Sequence, residues 1–136
     1  LKIYSAQTIK NPADSDDLLC VWETGKQIPF DVKRIYHIGN VKAGTVRGHH
    51  AHKKLEQILL CPYGSIEVAL DDGTEVKNCL LDSPDKGLYV GPGVWHTMKW
   101  IESGSLLLVM ASNFYVEEDY IRNYGKFKEK FPGETS

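Results

Sequence analysis

The feature that most constrains this chain is its rhythm. Short stretches of alternating apolar and polar residues are broken by turn chemistry roughly every 8 to 14 residues. A period of two places alternate side chains on opposite faces of a strand. In Val32-Lys33-Arg34-Ile35-Tyr36-His37-Ile38, Val32, Arg34, Tyr36 and Ile38 share one face, and Lys33, Ile35 and His37 the other. Ser65 to Leu70 alternates the same way, with Ile66, Val68 and Leu70 on the buried side. Leu18–Trp22, Gln57–Cys61, Glu75–Leu81, Gly87–Val90 and Leu106–Ala111 supply further strands. Between them stand Gly39-Asn40, Pro62-Tyr63-Gly64, Asp71-Asp72-Gly73 and Gly91-Pro92-Gly93. Asp-Gly tolerates the positive φ angles of a tight hairpin turn, so Asp71-Asp72-Gly73 is expected to join two paired strands. Many short strands at this spacing predict an all-β sandwich or barrel.

One segment departs from the rhythm. Glu117-Glu118-Asp119 put acid near the start of a stretch ending at Lys130, with Tyr120, Tyr124 and Phe127 at helical spacing. Acid first and base last complements a helix dipole. A C-terminal helix over Glu117–Lys130 is predicted, its aromatic stripe packing on the barrel or on a partner subunit.

At 136 residues the chain suits one domain, taken as residues 1–136. A hydrophobic share of 42% with 25% charged residues is ordinary for a soluble globule and argues against disorder. The net charge of −2 supplies no bulk positive field for nucleic acid or an anionic membrane, so neither partner is expected. The three cysteines, Cys20, Cys61 and Cys79, are odd in number and form no CxxC, so neither a disulfide framework nor a zinc knuckle is expected. Leu1-Lys2-Ile3-Tyr4 does not read as a signal peptide, and the cytoplasm is the default location.

Three of the five histidines fall within Arg47-Gly48-His49-His50-Ala51-His52. On a strand, His50 and His52 point to one face and His49 to the other. Two imidazoles on one face either bind a metal through neutral nitrogens or move protons near neutral pH. Gly44, five residues, His50, one residue, His52, three residues, Glu56 and then Gly64 follows the first cupin motif, with one extra residue before the final Gly. Gly87, Pro92, Gly93 and His96 supply the second motif imperfectly: Pro92 and Gly93 are adjacent, and Trp100 stands where Asn is usual. The architecture implied is a cupin, a jelly-roll antiparallel β-barrel with its site in the barrel mouth. From spacing, His50, His52, Glu56 and His96 are a possible three-His, one-carboxylate metal set.

The run Arg47 to Gln57 resembles the dTDP-4-keto-6-deoxyglucose 3,4-ketoisomerases of the cupin superfamily, which serve the making of deoxy-amino sugars. The similarity takes in Ile28 to Tyr36, Leu70-Asp71-Asp72-Gly73, Gly91 to His96 and Asp119-Tyr120-Ile121-Arg122. His37, where an aromatic is expected, departs from it, as does the loop Asn11 to Asp17.

The resemblance implies acid–base chemistry without metal or other cofactor. A proton moves from C3 to C4 of a keto sugar through an enediol, and the adjacent ketone acidifies the C3 proton. On the family pattern His50 is the base, Tyr36 a proton donor or orienter, and His52 and His96 flank the sugar. Mutually close imidazoles hold one another unprotonated. For the nucleotide half, Arg34, Arg47 and Lys53 are candidate diphosphate ligands, and Gly48 would let a phosphate approach the backbone. Trp95 is a candidate wall of the pocket, and Glu56 a candidate acceptor from a site histidine.

The resemblance also implies a homodimer that exchanges N-terminal strands, and Leu1 to Ile9 alternates as an edge strand would. Two other readings stay open at this point: a metal-dependent cupin oxygenase and a non-catalytic nucleotide-sugar-binding cupin. Of the two products an isomerase could release, the galacto 3-keto sugar is favoured, because one base can take the C3 proton and return it to the same face at C4.

Overall fold

The computed structural model describes the backbone of residues 1–133 and every side chain in that span except those of residues 14 and 15. The strands are β1 (Ile3–Ser5), β2 (Gln7–Asn11), β3 (Asp14–Val21), β4 (Arg34–Ile38), β5 (Val46–His52), β6 (Gln57–Tyr63), β7 (Ile66–Asp71), β8 (Val76–Leu81), β9 (Lys86–Val90), β10 (Trp95–Trp100), β11 (Leu106–Ala111) and β12 (Tyr120–Ile121). Two five-stranded sheets, ordered β1-β9-β6-β11-β4 and β12-β5-β10-β7-β8, face one another, and β2–β3 forms a separate hairpin. Successive strands from β4 to β11 change sheet at every step except β7–β8, as in a jelly roll. Among the described residues no ladder joins the two sheets. The expected barrel is therefore an open sandwich, with β4 and β12 left at neighbouring edges of its mouth.

The main core lies between the sheets. Leu59, Leu88, Leu107 and Val109 from one meet Ile66, Val68, Leu81 and Trp100 from the other. Strand β6 reads as a continuous apolar run because both its faces are covered. Its other face carries Ile58 and Leu60, which with Met110 pack under Ile28, Phe30 and Trp22 of the segment before β4. That segment clamps the sheet from outside and so positions the start of β4.

The β7–β8 hairpin is present, but its loop has four residues: Asp71 pairs with Val76, and Asp72 N–H donates to the Glu75 carbonyl at 3.3 Å. The C-terminal helix is shorter than expected. Glu117–Asp119 is a single 3₁₀ turn, Tyr120–Ile121 forms β12, and only Tyr124–Lys130 is α-helix, α1. Tyr120 and Ile121 instead pair with the free edge of β5, opposite His52 and Ala51. Asn123 restarts the helix by accepting the Lys126 N–H at 3.0 Å, an N-cap that shields an otherwise unpaired amide. Phe127 stays on the buried helix face, whereas Tyr120 leaves the stripe. The N-terminal alternation also splits. Ile3–Ser5 pairs with β9 of its own chain, and from Gln7 onward the chain turns away into the β2–β3 hairpin.

Candidate active site

The histidine strand owes its geometry to a bulge. His50 lies opposite His96, but the next pair is Gly48 with Thr97, so His49 is the extra residue. Gly48 has φ of 97° and His49 of 56°. A bulge of this kind reverses which face the following residues present. Arg47 and His50, three apart, would point to opposite faces of a regular strand. Here both line one cleft, and His49 is exposed. A Cβ on Gly48 would lie 2.8 Å from the His96 carbonyl oxygen, so glycine is required by the ladder itself. Gly48 also lines the cleft beside Arg47 and His50.

His50, His52 and His96 then converge on the inner face. The His50 ring lies 4.6 Å from His96 and 5.0 Å from His52, centre to centre. Nδ1 of His50 is 3.1 Å from the Gly48 carbonyl, and Nδ1 of His96 is 3.1 Å from that of Val94. A carbonyl only accepts, so each Nδ1 carries the hydrogen and each Nε2 keeps its lone pair. His52 is 1% exposed, and among the described residues neither of its nitrogens has a hydrogen-bond partner. Asp119 Oδ2 lies 3.5 Å from its Nδ1, beyond hydrogen-bond length, and is already accepting from the Leu55 amide. Burial, then the neighbouring His50, hold both His52 and His96 down to about 3. His50, half-buried, is lowered chiefly by burial as well.

This has a consequence for stability. An unfolded imidazole titrates near 6.5, above both folded values, so only the unfolded chain takes up protons as pH falls from 6.5 toward 3. The contribution of these two groups to stability is therefore complete above about 6.5 and declines as pH falls from there toward 3. Urea unfolding should show a lower midpoint at pH 5 than at pH 7, a window above most carboxylate titration. An unchanged midpoint would mean that the histidines are solvated.

The opposite wall comes from β4 and β6. Tyr36 accepts a hydrogen bond from Gln57 Nε2 at 3.0 Å, which leaves its own hydrogen free. Burial pushes the phenol up, and the Gln57 amide opposes this. The Arg34 guanidinium lies over the Tyr36 ring at 5.3 Å, with Nε and Nη2 buried and unpartnered. Among the described residues, every buried side-chain nitrogen or oxygen without a partner belongs to Arg34, His52 or Gln57. Unpaired buried polar atoms are rare in folded proteins. Their gathering at one end of the sandwich marks a place built to receive a polar ligand.

The cleft measures about 400 Å³ and is lined by Arg34, Tyr36, Arg47, His50, Met98, Tyr120 and Arg122, among others. Tyr120 packs edge-on against His52 at 4.4 Å, and Arg122 covers the Tyr120 ring at 4.3 Å while paired with Glu117. Arg34 and Arg47 have no carboxylate partner among the described residues, so the cleft favours an anion.

Of the residues singled out in the sequence, His50, His52, His96, Tyr36, Arg34 and Arg47 come together here. Three stand outside this cleft. Glu56 accepts the Tyr89 hydroxyl at 2.6 Å, and the carboxylate beside the histidines is that of Asp119. Trp95 stands edge-on to Tyr124 at 5.2 Å and packs against α1. Lys53 is exposed and lines an adjoining cleft that shares Tyr120 and Arg122 with this one. Tyr120, Arg122, Asp119 and Gln57 join the site without a motif of their own, although Asp119 to Arg122 and Gln57 stand in the stretches that carry the family resemblance. The helical spacing of Tyr120 with Tyr124 masked its role, and Gln57 hides in an apolar run.

Chemically, the three imidazoles offer nitrogens within 4.8 Å of one another, a set able to ligate a metal ion or to move protons. The fourth ligand that the motif suggests, Glu56, is not among them.

Comparison with known proteins bears on that choice. A family model described as FdtA, WxcM-like, C-terminal, matches residues 2–131. TDP-4-oxo-6-deoxy-alpha-D-glucose-3,4-oxoisomerase of Aneurinibacillus thermoaerophilus is 50% identical over 120 residues, covering 88% of this chain and 86% of the relative. The 3,4-ketoisomerase QdtA of Thermoanaerobacterium thermosaccharolyticum, solved as a histidine-to-asparagine variant in complex with TDP-4-keto-6-deoxyglucose, matches with TM-score 0.90 at 38% identity, over 96% of this chain and 92% of that one. A 3,4-ketoisomerase from Helicobacter canadensis matches with TM-score 0.90 at 40% identity, over 97% of both chains. Since the family match spans residues 2–131 and a relative is 50% identical over 88% of the chain, this protein belongs to the FdtA (WxcM-like, C-terminal) family.

Proposed function

We propose that this protein is a cytoplasmic sugar-nucleotide 3,4-ketoisomerase. It converts dTDP-4-keto-6-deoxyglucose to a dTDP-3-keto-6-deoxyhexose, which a transaminase can then turn into an amino sugar. The observation that carries the reading is His50, whose Nε2 lone pair is left free by the Nδ1 contact to Gly48 in a cleft shared with Tyr36. His50 takes the C3 proton, and the electron pair of that bond passes into an enediolate whose charge rests on the C4 oxygen. Protonation of that oxygen, loss of the C3 hydroxyl proton and return of a proton to C4 complete the migration. No electron leaves the sugar, so no redox centre is required. Arg34 and Arg47 supply charge for the diphosphate.

The product follows from which wall returns the proton. His50 stands on one wall of the cleft with a free Nε2, so one base can take the proton and return it to the same face, which supports the galacto isomer. Incubation with the substrate in D2O should place deuterium at C3 of recovered substrate and at C4 of product. After trapping by transamination, a small H4–H5 coupling is expected. A large coupling would assign the gluco isomer and make Tyr36, on the opposite wall, the donor to C4. Absence of any exchange would leave a non-catalytic sugar-nucleotide binder as the better reading.

The reading extends to a homodimer with exchanged N-terminal strands. The β2–β3 hairpin stands apart from both sheets and exposes Ile9, Leu18 and Leu19, the last at 57%. An isolated hairpin is marginal in water, and a second copy would cover it. Light scattering at micromolar concentration should give twice the chain mass; a monomeric mass refutes the pairing.

A further inference from the structure

Gln57 is 1% exposed and sits on the inner face of β6, where an apolar residue would fill the core. Its row across the sheet reads Val90, Gln57, Ala111, Arg34. The small Ala111 between Gln57 and Arg34 leaves room for the amide to reach Tyr36 on the edge strand. There Nε2 donates to the phenol oxygen at 3.0 Å, while Oε1 is buried without a partner among the described residues. A glutamine serving only the packing would be expected to satisfy both ends at this depth. This one gives an amide hydrogen to a single hydroxyl, that of Tyr36, which lines the cleft that holds His50.

Resting on the ketoisomerase reading, we propose that Gln57 is a positioning residue that commits Tyr36 to proton relay between the two sugar oxygens. With its oxygen occupied by the amide N–H, Tyr36 presents its own hydrogen to the cleft. The Tyr36 O–H bond breaks as the C4 oxygen of the enediolate takes the proton. The phenolate, held by the Gln57 N–H, then takes the proton of the C3 hydroxyl. The O–H pair becomes the C3 carbonyl, and the double-bond pair takes the proton at C4 from His50. Tyr36 and His50 end as they began, and nothing else is consumed. The carbon step at C3 needs His50 alone; the oxygen step needs Tyr36 and, through it, Gln57.

That division sets the test. Gln57→Met keeps the volume and removes the donor. Turnover should fall about tenfold with KM little changed. In D2O, deuterium entering C3 of recovered substrate, relative to product formed, should rise several-fold, because the enediolate forms but returns. In a Tyr36→Phe background the same change should cost less than twofold. Gln57→Glu, of equal size, serves if the Met variant does not fold. Its carboxylate would accept the Tyr36 proton, and turnover should fall further. Equal losses of exchange and turnover, or an equal cost with and without the Tyr36 hydroxyl, would overturn the role. A parent protein that neither exchanges nor isomerises would overturn the ketoisomerase reading instead.

Discussion

Replacing His50 with asparagine should lower turnover at least about a hundredfold, the usual size of a general-base contribution. The asparagine amide can still donate to the Gly48 carbonyl that now holds Nδ1, so the bulge should survive. What it lacks is a basic lone pair at the position of Nε2. Its neighbours are poor substitutes. His52 and His96 are nearly inaccessible, and burial holds both at about 3, so as bases they are far weaker than an ordinary imidazole. Affinity for TDP, followed by calorimetry, should change little, because the unpaired guanidinium of Arg34 and the charge of Arg47 are untouched. Turnover within tenfold of the parent would place the base on another residue, with His52 and His96 the next to replace.

How far the site could be read beforehand depends on which interactions are local. The HxH pair and the strand alternation are properties of neighbouring residues, and both survive folding. The inward turn of Arg47 together with His50 is not, because it needs the bulge at Gly48 and His49. A glycine inside a strand is the one local sign of such a bulge. Tyr120 illustrates the opposite failure. Its spacing with Tyr124 and Phe127 fits a helix, but the free edge of β5 competes for the same backbone and wins at residues 120 and 121. Glu56 and Trp95 lie close in sequence to site histidines, yet alternation and the chain's turn direct them to Tyr89 and to α1. Gln57 was unreadable because β6 is buried on both faces, so its polarity stood out only once Tyr36 was placed across Ala111.

The bulge is also where a single methyl group should do most harm. Gly48→Ala puts a Cβ 2.8 Å from the His96 carbonyl oxygen and 3.2 Å from Met98 Sδ, at a backbone φ of 97°. The sulfur can swing aside, but the carbonyl belongs to the β5–β10 ladder and cannot. The strained backbone alone costs about 1–3 kcal/mol. Relief requires β5 to move off β10 or the bulge to flatten, and either displaces His50 from His96 and turns Arg47 away from the cleft. A misplacement of about 1 Å at reacting groups can cost on the order of a hundredfold in rate. Gly48→Ala should therefore lose about that much turnover and unfold at a visibly lower temperature. His49→Gly is the matched control. It relieves a left-handed residue at φ of 56° whose side chain is exposed, so it should keep both turnover and melting temperature close to those of the parent. If Gly48→Ala behaves like that control in kinetics and calorimetry, the bulge does not set the position of His50, and the convergence of the three histidines must be held by β12 and Tyr120 instead.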